Sequence, residues 1–375
     1  MRVIITAGGT GGHIYPALAI LNKIKEKEPN SEFIYIGTHN RMEKDIVPAA
    51  GYQYESIEIY GFSKTMIKRD VKNISLIYKA YKKCLKIMKD FKPDVVIGVG
   101  GYVTFPVIMA ANKLHIKTFI HEQNSIPGKS NKVLAKKADL IGVSFKDSIK
   151  YFNPNKCKLT GNPCGENALD IKAVSKTKYH MHANKKGVLI VQGSLGSNVI
   201  NNKMKEFLYS IDNENYEVLY VTGKDYYEEF SKNKFSKNVI IVPYVDNLSA
   251  LIKDMDLIVT RAGASIISEI MALRKPAIFI PSPYVANNHQ YYNALSIKDA
   301  HAGAMIEEKD LNKDILKNKI NEILNDKKLY KEYETNLAKM SIDNSSTYIY
   351  ELLKELGICE RCVNIKNKSG KDFSL

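Results

Sequence analysis

Two stretches of this chain share one local pattern, in which a short apolar run leads into a glycine-rich loop and then into a helical pattern. They occupy residues 3–13 (VIITAGGTGGH) and 188–198 (VLIVQGSLGSN). Glycine allows the tight turn that joins a buried strand to a helix in a Rossmann-like unit. Because the pattern occurs in both halves of a 375-residue chain, the sequence predicts two such domains.

Further apolar runs, rich in Val and Ile, alternate with longer helical patterns. They lie at residues 3–6, 33–36, 56–59, 95–99, 118–121 and 140–143 in the first half, and at 188–192, 217–222, 239–242, 257–260 and 277–280 in the second. Nearly continuous apolar strands separated by helices form parallel sheets covered on both faces. We therefore predict an α/β fold with a ligand cleft between the domains, because open α/β sheets bind ligands at the carboxyl ends of their strands.

The net charge of +15 comes mainly from lysine, since only six of the 55 basic residues are Arg. Proteins that read nucleic acid usually carry more Arg, because the guanidinium group forks onto guanine and phosphate. We expect no nucleic-acid partner, and the lysines favour solubility or an anionic membrane surface. Five cysteines without a disulfide spacing indicate a reducing compartment, and Cys359 and Cys362 form a lone CxxC in a polar tail.

Three stretches without Asp, Glu, Lys or Arg approach membrane-spanning length, at residues 3–22, 95–112 and 276–297. Each is interrupted by glycines, prolines or polar residues, so buried strands and loops explain them better than bilayer spans. The first residues also lack the basic and apolar regions of a secretory signal. We expect a cytoplasmic protein that can still bind at a membrane surface.

The first glycine loop carries four glycines and a histidine where a strand meets a helix. Such a loop presents backbone N–H groups and the positive helix end to a phosphate or diphosphate, although a tight turn without a ligand is the alternative. Ile14 stands where a dinucleotide motif needs glycine, and residues 12–14 do not form the GK[ST] of a P-loop. Similar loops at residues 98–102 and 193–197 suit a site that holds two pyrophosphates.

Polar motifs follow other strands, at residues 121–124 (HEQN) and 261–269 (RAGASIISE). Glu269 falls in the first turns of a helix, where it could bind a vicinal diol or simply offset the helix end. Asp254 and Asp256 form a DxD pattern, which can hold a manganese ion. Because they precede a strand rather than follow one, we predict solvated loop carboxylates and no catalytic metal.

These motifs together resemble those of the MurG-type N-acetylglucosaminyltransferases. Residues 8–13, 100–102, 121–124, 161–163, 193–196, 261–269 and 289–290 occur in the order and spacing of that family, and the likeness extends over residues 1–356. The resemblance implies transfer of GlcNAc from UDP-GlcNAc to the C4 hydroxyl of undecaprenyl-pyrophosphoryl-MurNAc-pentapeptide, the step from lipid I to lipid II in peptidoglycan synthesis. It also implies inversion at the anomeric carbon and no cofactor.

The resemblance further implies a GT-B fold, with two Rossmann-like parallel-sheet domains facing an interdomain cleft. Residues 1–162 would form an acceptor- and membrane-binding domain, and residues 163–338 a UDP-GlcNAc-binding domain. Residues 339–358 would form a helix that returns to the first domain, and residues 359–375 a polar tail. The protein would work at the cytoplasmic face of the cell membrane, bound peripherally.

Site residues carry over from the family position by position. His13 is our candidate for the base that takes the C4 hydroxyl proton, with loop ordering or sugar positioning as the alternative. The acceptor pyrophosphate would be held by Gly8, Gly9, Gly100, Gly101 and Tyr102. The donor would be held by Thr10, Gly11, Gly12, Asn124, Ser194, Val245, Ala264, Ser265, Ile266, Ile267, Ser268, Glu269 and Gln290, with Glu269 on the ribose hydroxyls and Ser194 on phosphate.

Two positions depart from the family pattern. Gly165 stands where an Arg usually lies near the donor, and Ile266 stands where the family usually has Thr. Loss of both contacts would weaken donor binding, which leaves a nucleotide-sugar-binding protein without transfer activity as one alternative function. A UDP-sugar 2-epimerase on the same fold is another, although an epimerase needs no second pyrophosphate site.

A strongly basic segment spans residues 64–92, with ten Lys or Arg against Asp70 and Asp90. Ile74, Ile77, Tyr78, Tyr81, Leu85 and Met88 recur in it at helical spacing, which predicts a stripe packed on the core and a lysine face towards solvent. Because the implied acceptor is a membrane lipid, we also expect this segment to bind anionic headgroups.

Overall fold

The structure is a computed structural model that describes residues 1–61, 67–192 and 198–357. It contains two compact units, the first formed by Met1–Pro163 with Asn344–Leu375 and the second by Cys164–Asp343. Each unit is built around its own parallel sheet. Within the described residues, no helix has the length and apolar character needed to cross a bilayer.

The first unit contains a seven-stranded parallel sheet in the order β3-β2-β1-β4-β5-β6-β7. Its strands are β1 (Arg2–Ala7), β2 (Glu32–Thr38), β3 (Gln53–Ile57), β4 (Val95–Gly100), β5 (Lys117–Glu122), β6 (Leu140–Val143) and β7 (Cys157–Leu159). Its connecting helices are α1 (Gly11–Lys27), α2 (Glu43–Ala49), α3 (Ile67–Phe91), α4 (Thr104–Lys113) and α5 (Lys129–Leu134). The strand order reverses direction between β1 and β4, where such sheets place their ligands.

The second unit contains a six-stranded parallel sheet in the order β10-β9-β8-β11-β12-β13. Its strands are β8 (Lys186–Val191), β9 (Tyr216–Val221), β10 (Val239–Val242), β11 (Leu257–Thr260), β12 (Ala277–Phe279) and β13 (Ala304–Met305). The helices from the unit boundary onward are α6 (Pro163–Asp170), α7 (Asn198–Tyr209), α8 (Lys224–Phe230), α9 (Leu248–Ile252), α10 (Ala264–Leu273), α11 (His289–Asp299), α12 (Lys313–Asn325) and α13 (Lys327–Met340).

The predicted α/β class with two Rossmann-like parallel sheets is confirmed, and each of the eleven predicted strands is present. The sequence missed β7 and β13, which are short strands at sheet edges and contain little Val or Ile. A C-terminal helix, Ser345–Gly357, follows α12 and α13. Asp326 separates α12 from α13, because its carboxylate accepts the backbone N–H groups of residues 328 and 329 as an N-cap.

The C-terminal helix packs on α1 of the first unit. Ile349, Tyr350 and Leu353 are buried in the same apolar cluster as the inner face of α1. At the end of α1, the Glu28 carboxylate accepts hydrogen bonds from the Tyr350 hydroxyl and from the N-terminal amine of Met1, both at 3.0 Å. This carboxylate therefore joins both ends of the described chain to α1.

The core-facing side of α3 agrees with the prediction in part, since Met88 is buried and Ile77, Tyr81 and Leu85 pack against the core cluster. Leu76, Ala80, Cys84 and Met88 form the buried stripe, whereas Ile74 and Tyr78 are 62% and 60% exposed. Asn73 sets this rotation, because its side chain bonds both the backbone N–H and the carbonyl of Tyr60. The prediction that Ile74 and Tyr78 pack on the core was wrong, and the helix presents two apolar side chains on its outer surface.

Candidate active site

The first glycine loop joins β1 to α1 at the carboxyl end of the sheet. Gly9 has a φ of +93°, a conformation that favours glycine. The N–H groups of His13 and Ile14 both bond the carbonyl of Thr10, which is where α1 begins its hydrogen bonding. The amides of Gly11 and Gly12 precede that point, in the part of a helix whose N–H groups attract anions.

The loop after β4 interlocks with the first glycine loop. Gly8 N–H donates to the carbonyl of Gly100 at 3.3 Å. Gly100 and Gly101 have φ values of +113° and +89°, and a Cβ on Gly101 would lie 2.4 Å from the carbonyl oxygen of Gly8. Tyr102 follows and is half-buried. Only glycines at 100 and 101 allow this approach, so the structure brings together two loops that the sequence identified separately.

His13 lies where the two loops meet. Its Nδ1 is 3.2 Å from the carbonyl oxygen of Gly8, and its ring packs against Gly100, where a Cβ would lie 2.5 Å from Cδ2. The Thr10 hydroxyl oxygen is 3.4 Å from the same nitrogen. A carbonyl only accepts hydrogen bonds, so a bond from His13 to Gly8 places the proton on Nδ1. In the neutral imidazole the lone pair is then on Nε2, which is the nitrogen able to take a proton.

Three of the four residues in the HEQN motif brace the loop after β5. His121 is fully buried between the Gly161 carbonyl and the Gln123 amide, and burial lowers its pKa to about 4, so its ring is neutral. The buried Glu122 carboxylate accepts from the Asn124 and Gly128 backbone and from the Asn131 side chain. Asn124 is half-buried, unlike the three residues before it.

In the second unit, two side-chain contacts hold the loop between β11 and α10 in place. Arg261 is buried and forms an ion pair of 2.7 Å with the buried Glu308, and Asn293 donates to the Ala262 carbonyl. Within the candidate donor residues of α10, three are buried (Ala264, Ile267 and Ser268) and three are half-buried (Ser265, Ile266 and Glu269). The half-buried three are those with surface to offer a ligand.

Glu269 has an unusual environment for a carboxylate. Burial raises its pKa to about 7, although the Ser249 hydroxyl donates to Oε2 at 2.8 Å and opposes that shift. The remaining donor candidates are Val245, which is buried, and Gln290, whose Oε1 accepts the backbone N–H of Ser282. Ser194 and the rest of the loop at 193–197 lie outside the described residues.

Comparison with known proteins identifies the family. The model of the glycosyltransferase family 28 N-terminal domain matches residues 3–143, and that of the C-terminal domain matches residues 187–347. The chain belongs to glycosyltransferase family 28. A relative named UDP-N-acetylglucosamine--N-acetylmuramyl-(pentapeptide) pyrophosphoryl-undecaprenol N-acetylglucosamine transferase 2, from Bacillus thuringiensis, is 40% identical over 361 residues, which cover 95% of this chain and 99% of the relative.

Solved structures agree with this family 28 assignment. MurG from Acinetobacter baumannii matches with a TM-score of 0.77 and 25% identity, over 94% of this chain and 99% of that one. A UDP-GlcNAc 2-epimerase from Neisseria meningitidis, bound to UDP-GlcNAc, matches with a TM-score of 0.66 at 15% identity, over 95% of this chain and 100% of that one, and shows the fold alone. The predicted family, GT-B class and N-acetylglucosaminyltransferase activity are confirmed.

One departure from the family 28 pattern has a packing consequence. A Cβ on Gly165 would lie 3.1 Å from the backbone oxygen of Ser268, so glycine lets α6 approach α10 closely. The neighbouring Cys164 is buried, and burial together with the charge of Glu269 raises the pKa of its thiol. Nothing in the structure shows what replaces the arginine of the family pattern.

The DxD carboxylates are half-buried and only partly solvated, and each accepts hydrogen bonds from the protein. Asp254 accepts from the Ser175 hydroxyl and the Lys176 backbone, and Asp256 accepts the Gly187 N–H at 2.7 Å. They lie at the amino ends of β8 and β11, the edge of the sheet opposite to the loops described above. They therefore fasten loops there, and across the described residues no cluster of His, Cys, Asp and Glu could hold a metal ion.

Sequence reasoning missed Glu43, the first residue of α2. Its fully buried carboxylate accepts the Gly9 N–H at 3.3 Å and both the N–H and hydroxyl of Thr38, at 3.1 and 2.6 Å. Glu43 is 34 residues from Gly9 in the sequence and bonds mostly backbone groups. No pattern of residue types therefore predicts this contact. Gly37, a glycine near the end of β2, was the one local signal.

Replacement of Glu269 by Gln should stabilise the second unit at alkaline pH. The pKa of this carboxyl is about 7 in the folded protein, whereas its ordinary value is 4.5. As the pH rises from 4.5 to 7, the unfolded chain loses this proton more readily than the folded one, so the wild-type protein loses stability over that range. For this half-buried group we expect Glu269→Gln to gain about 1–3 kcal/mol at pH 8. Urea unfolding at pH 8 and pH 5 measures it, and a gain equal at both pH values would contradict the assignment.

Proposed function

We propose that the loops of the first unit hold the lipid-linked acceptor and those of the second unit hold the sugar nucleotide. The chain transfers GlcNAc from UDP-GlcNAc to the C4 hydroxyl of undecaprenyl-pyrophosphoryl-MurNAc-pentapeptide, converting lipid I to lipid II in peptidoglycan synthesis. Relatives named for this reaction, matched over nearly the whole chain, support it. The contact of His13 Nδ1 with the Gly8 carbonyl carries the mechanism, because it leaves Nε2 as the basic nitrogen.

The acceptor pyrophosphate lies at the interlocked loops formed by Gly8, Gly9, Gly100, Gly101 and Tyr102. The N–H groups of Gly8 and Gly9 are already bonded to the Gly100 carbonyl and the Glu43 carboxylate. These two glycines therefore act through shape, and the amides at the start of α1 supply hydrogen bonds to phosphate oxygens. The resemblance assigns Thr10, Gly11 and Gly12, together with Asn124, to the donor, so the phosphate oxygens that those amides bind belong to UDP-GlcNAc.

Transfer proceeds by one in-line displacement. Nε2 of His13 takes the proton of the C4 hydroxyl as its oxygen attacks the anomeric carbon of GlcNAc, and the bond to the UDP oxygen breaks with inversion. The negative charge that develops on UDP is met by backbone N–H groups and helix N-termini. Glu269 accepts the ribose hydroxyls in its ionised form, while Val245, Gln290 and residues 264–268 line the nucleotide.

A transfer assay separates this reaction from the two alternatives. Labelled UDP-GlcNAc and a short-chain lipid acceptor should yield a β-linked disaccharide, with the same yield in excess chelator. Nucleotide binding without turnover would instead identify a sugar-nucleotide-binding protein, and UDP release without acceptor would identify an epimerase. Complete loss of transfer in chelator would overturn the metal-independent mechanism.

Substitution of the base tests the mechanism directly. His13→Ala should lower kcat by about 10²–10⁴, which is the usual contribution of a general base. UDP affinity, measured by calorimetry, should stay near the wild-type value because Glu269 and its neighbours are unchanged. Near-normal turnover would remove His13 from this role and leave loop ordering as its function.

We also propose that α3 binds the cytoplasmic face of the cell membrane, where the acceptor lipid is anchored. Ile74 and Tyr78 are exposed one helical turn apart, with the Lys82 ammonium 5.5 Å from the Tyr78 ring centre. Lys79 and Lys86 are exposed beside them. Lys83 is not part of this surface, because its ammonium group bonds the Ser56 carbonyl and pairs with Glu55 at 3.1 Å. Apolar side chains ringed by lysines suit an anionic lipid surface.

Flotation with phosphatidylglycerol vesicles tests this surface. Each Lys near such a surface contributes about 1 kcal/mol, so reversal of Lys82 and Lys86 to Glu should lower binding by at least about tenfold. Ile74→Ser with Tyr78→Ser should weaken binding that persists at high salt. Reversal of Lys327 and Lys328, two exposed lysines of α13, is the matched control. Equal binding by all variants would exclude α3.

A further inference from the structure

The Glu43 carboxylate lies between the first glycine loop and Gly37, which is near the end of β2. A Cβ on Gly8 would lie 2.4 Å from Oε1, and a Cβ on Gly37 would lie 2.8 Å from Cγ. Its donors are the Gly9 N–H on one side and the N–H and hydroxyl of Thr38 on the other. The carboxylate thus fastens the first glycine loop to the end of β2.

The pocket is specific for a carboxylate. All three groups that face the side-chain oxygens are hydrogen-bond donors, so an amide in their place would set its own N–H₂ against a donor. No Lys or Arg among the described residues forms an ion pair with Glu43. A fully buried anion held only by hydrogen bonds is unfavourable unless the bonds that it accepts are well made. Such an arrangement holds its partners in one geometry.

One of these hydrogen-bond partners, Gly9, is adjacent to the residue that contacts the proposed base. Gly9, which donates to Glu43, follows Gly8, and the carbonyl of Gly8 accepts the proton of His13 Nδ1 at 3.2 Å. The N–H of Gly8 is bonded to the loop after β4. A shift of the Gly8–Gly9 peptide would therefore change the acceptor that selects the His13 tautomer.

We propose that Glu43 is a positioning residue for His13. Its carboxylate holds the first glycine loop in one position. The Gly8 carbonyl then keeps the proton on His13 Nδ1, and Nε2 stays directed at the acceptor hydroxyl. This inference rests on the proposed role of His13 as the base. It assigns Glu43 no contact with either substrate.

The main variant is Glu43→Gln, which keeps the size of the side chain but places an N–H₂ group against the N–H donors that the carboxylate accepts. Misplacement of a catalytic group by about 1 Å can cost about a hundredfold in rate, so we expect kcat to fall by about tenfold to a hundredfold. The KM for UDP-GlcNAc should rise by less than kcat falls, because the donor residues of the second unit are unchanged. The acidic limb of the pH profile of kcat should move to lower pH, because the imidazolium loses its carbonyl partner.

A double-mutant cycle distinguishes positioning from simple support of the fold. In a His13→Ala background, Glu43→Gln should have little further effect on kcat, because residues that act as a unit are not additive. An equal fold-loss in both backgrounds would overturn the inference, as would a kcat near that of wild type for Glu43→Gln alone. If His13→Ala itself turns over normally, the proposed base has failed rather than the role of Glu43 alone.

Two further variants guard against loss of folding. Glu28→Gln changes a carboxylate at the far end of α1 and should lower Tm with kcat unchanged. Thr38→Val removes one hydroxyl bond to Glu43 from a buried site and keeps the shape of the side chain, so it should lower kcat by about threefold to tenfold, the worth of one hydrogen bond. If Thr38→Val lowers Tm while kcat per folded molecule stays unchanged, Glu43 serves only the fold.

Discussion

The exchange of hydrogen bonds between the loops after β1 and β4 is the constraint on which the first unit's site depends. Gly8 gives its N–H to Gly100 and its carbonyl to His13, so one peptide orients both the neighbouring loop and the imidazole. Side chains at 100 or 101 would collide with His13 or with Gly8. These three glycines are therefore needed for close contact as well as for backbone freedom.

Much of the fold could be read from the sequence, because buried parallel strands are nearly continuous apolar runs. Ile190 and Val259, for example, lie in runs that β8 and β11 reproduce. The edge strands β7 and β13 escaped because they are two or three residues long and only partly buried. The facing of α3 was also misjudged in part, because the polar Asn73, not an apolar residue, anchors it to the Tyr60 backbone.

Site residues that belong to local sequence motifs were predictable, whereas those whose partners are distant in sequence were not. Glycine-rich turns and the HEQN motif are visible as local patterns, and His13 stood out as a titratable side chain among glycines. Glu43 could not be found in this way, because its partners are backbone groups distant in sequence. Asp254 and Asp256 were expected only to face solvent, and the DxD pattern gave no sign of their hydrogen bonds to Lys176 and Gly187, which are distant in sequence.

Glu269, the side chain that we propose for the ribose hydroxyls, illustrates how a binding site can oppose the stability of its own fold. A carboxylate placed to bind a diol must be partly shielded from water, and that shielding raises its pKa to about 7. Cys164 and the glycine at 165 allow α6 to pack beside it. Stability and ligand recognition are therefore opposed at this residue, as is common where a site requires a buried charge.

The return of the chain to the first unit has a topological consequence. The boundary between the units is crossed twice, after Pro163 and after Asp343, and the last helix completes the apolar cluster around α1. The second unit is thus an insertion in the first, so a gene fragment for residues 164–343 encodes one continuous body. The first unit would have to be rebuilt from two pieces, and a ribosome finishes its core only when the final helix emerges.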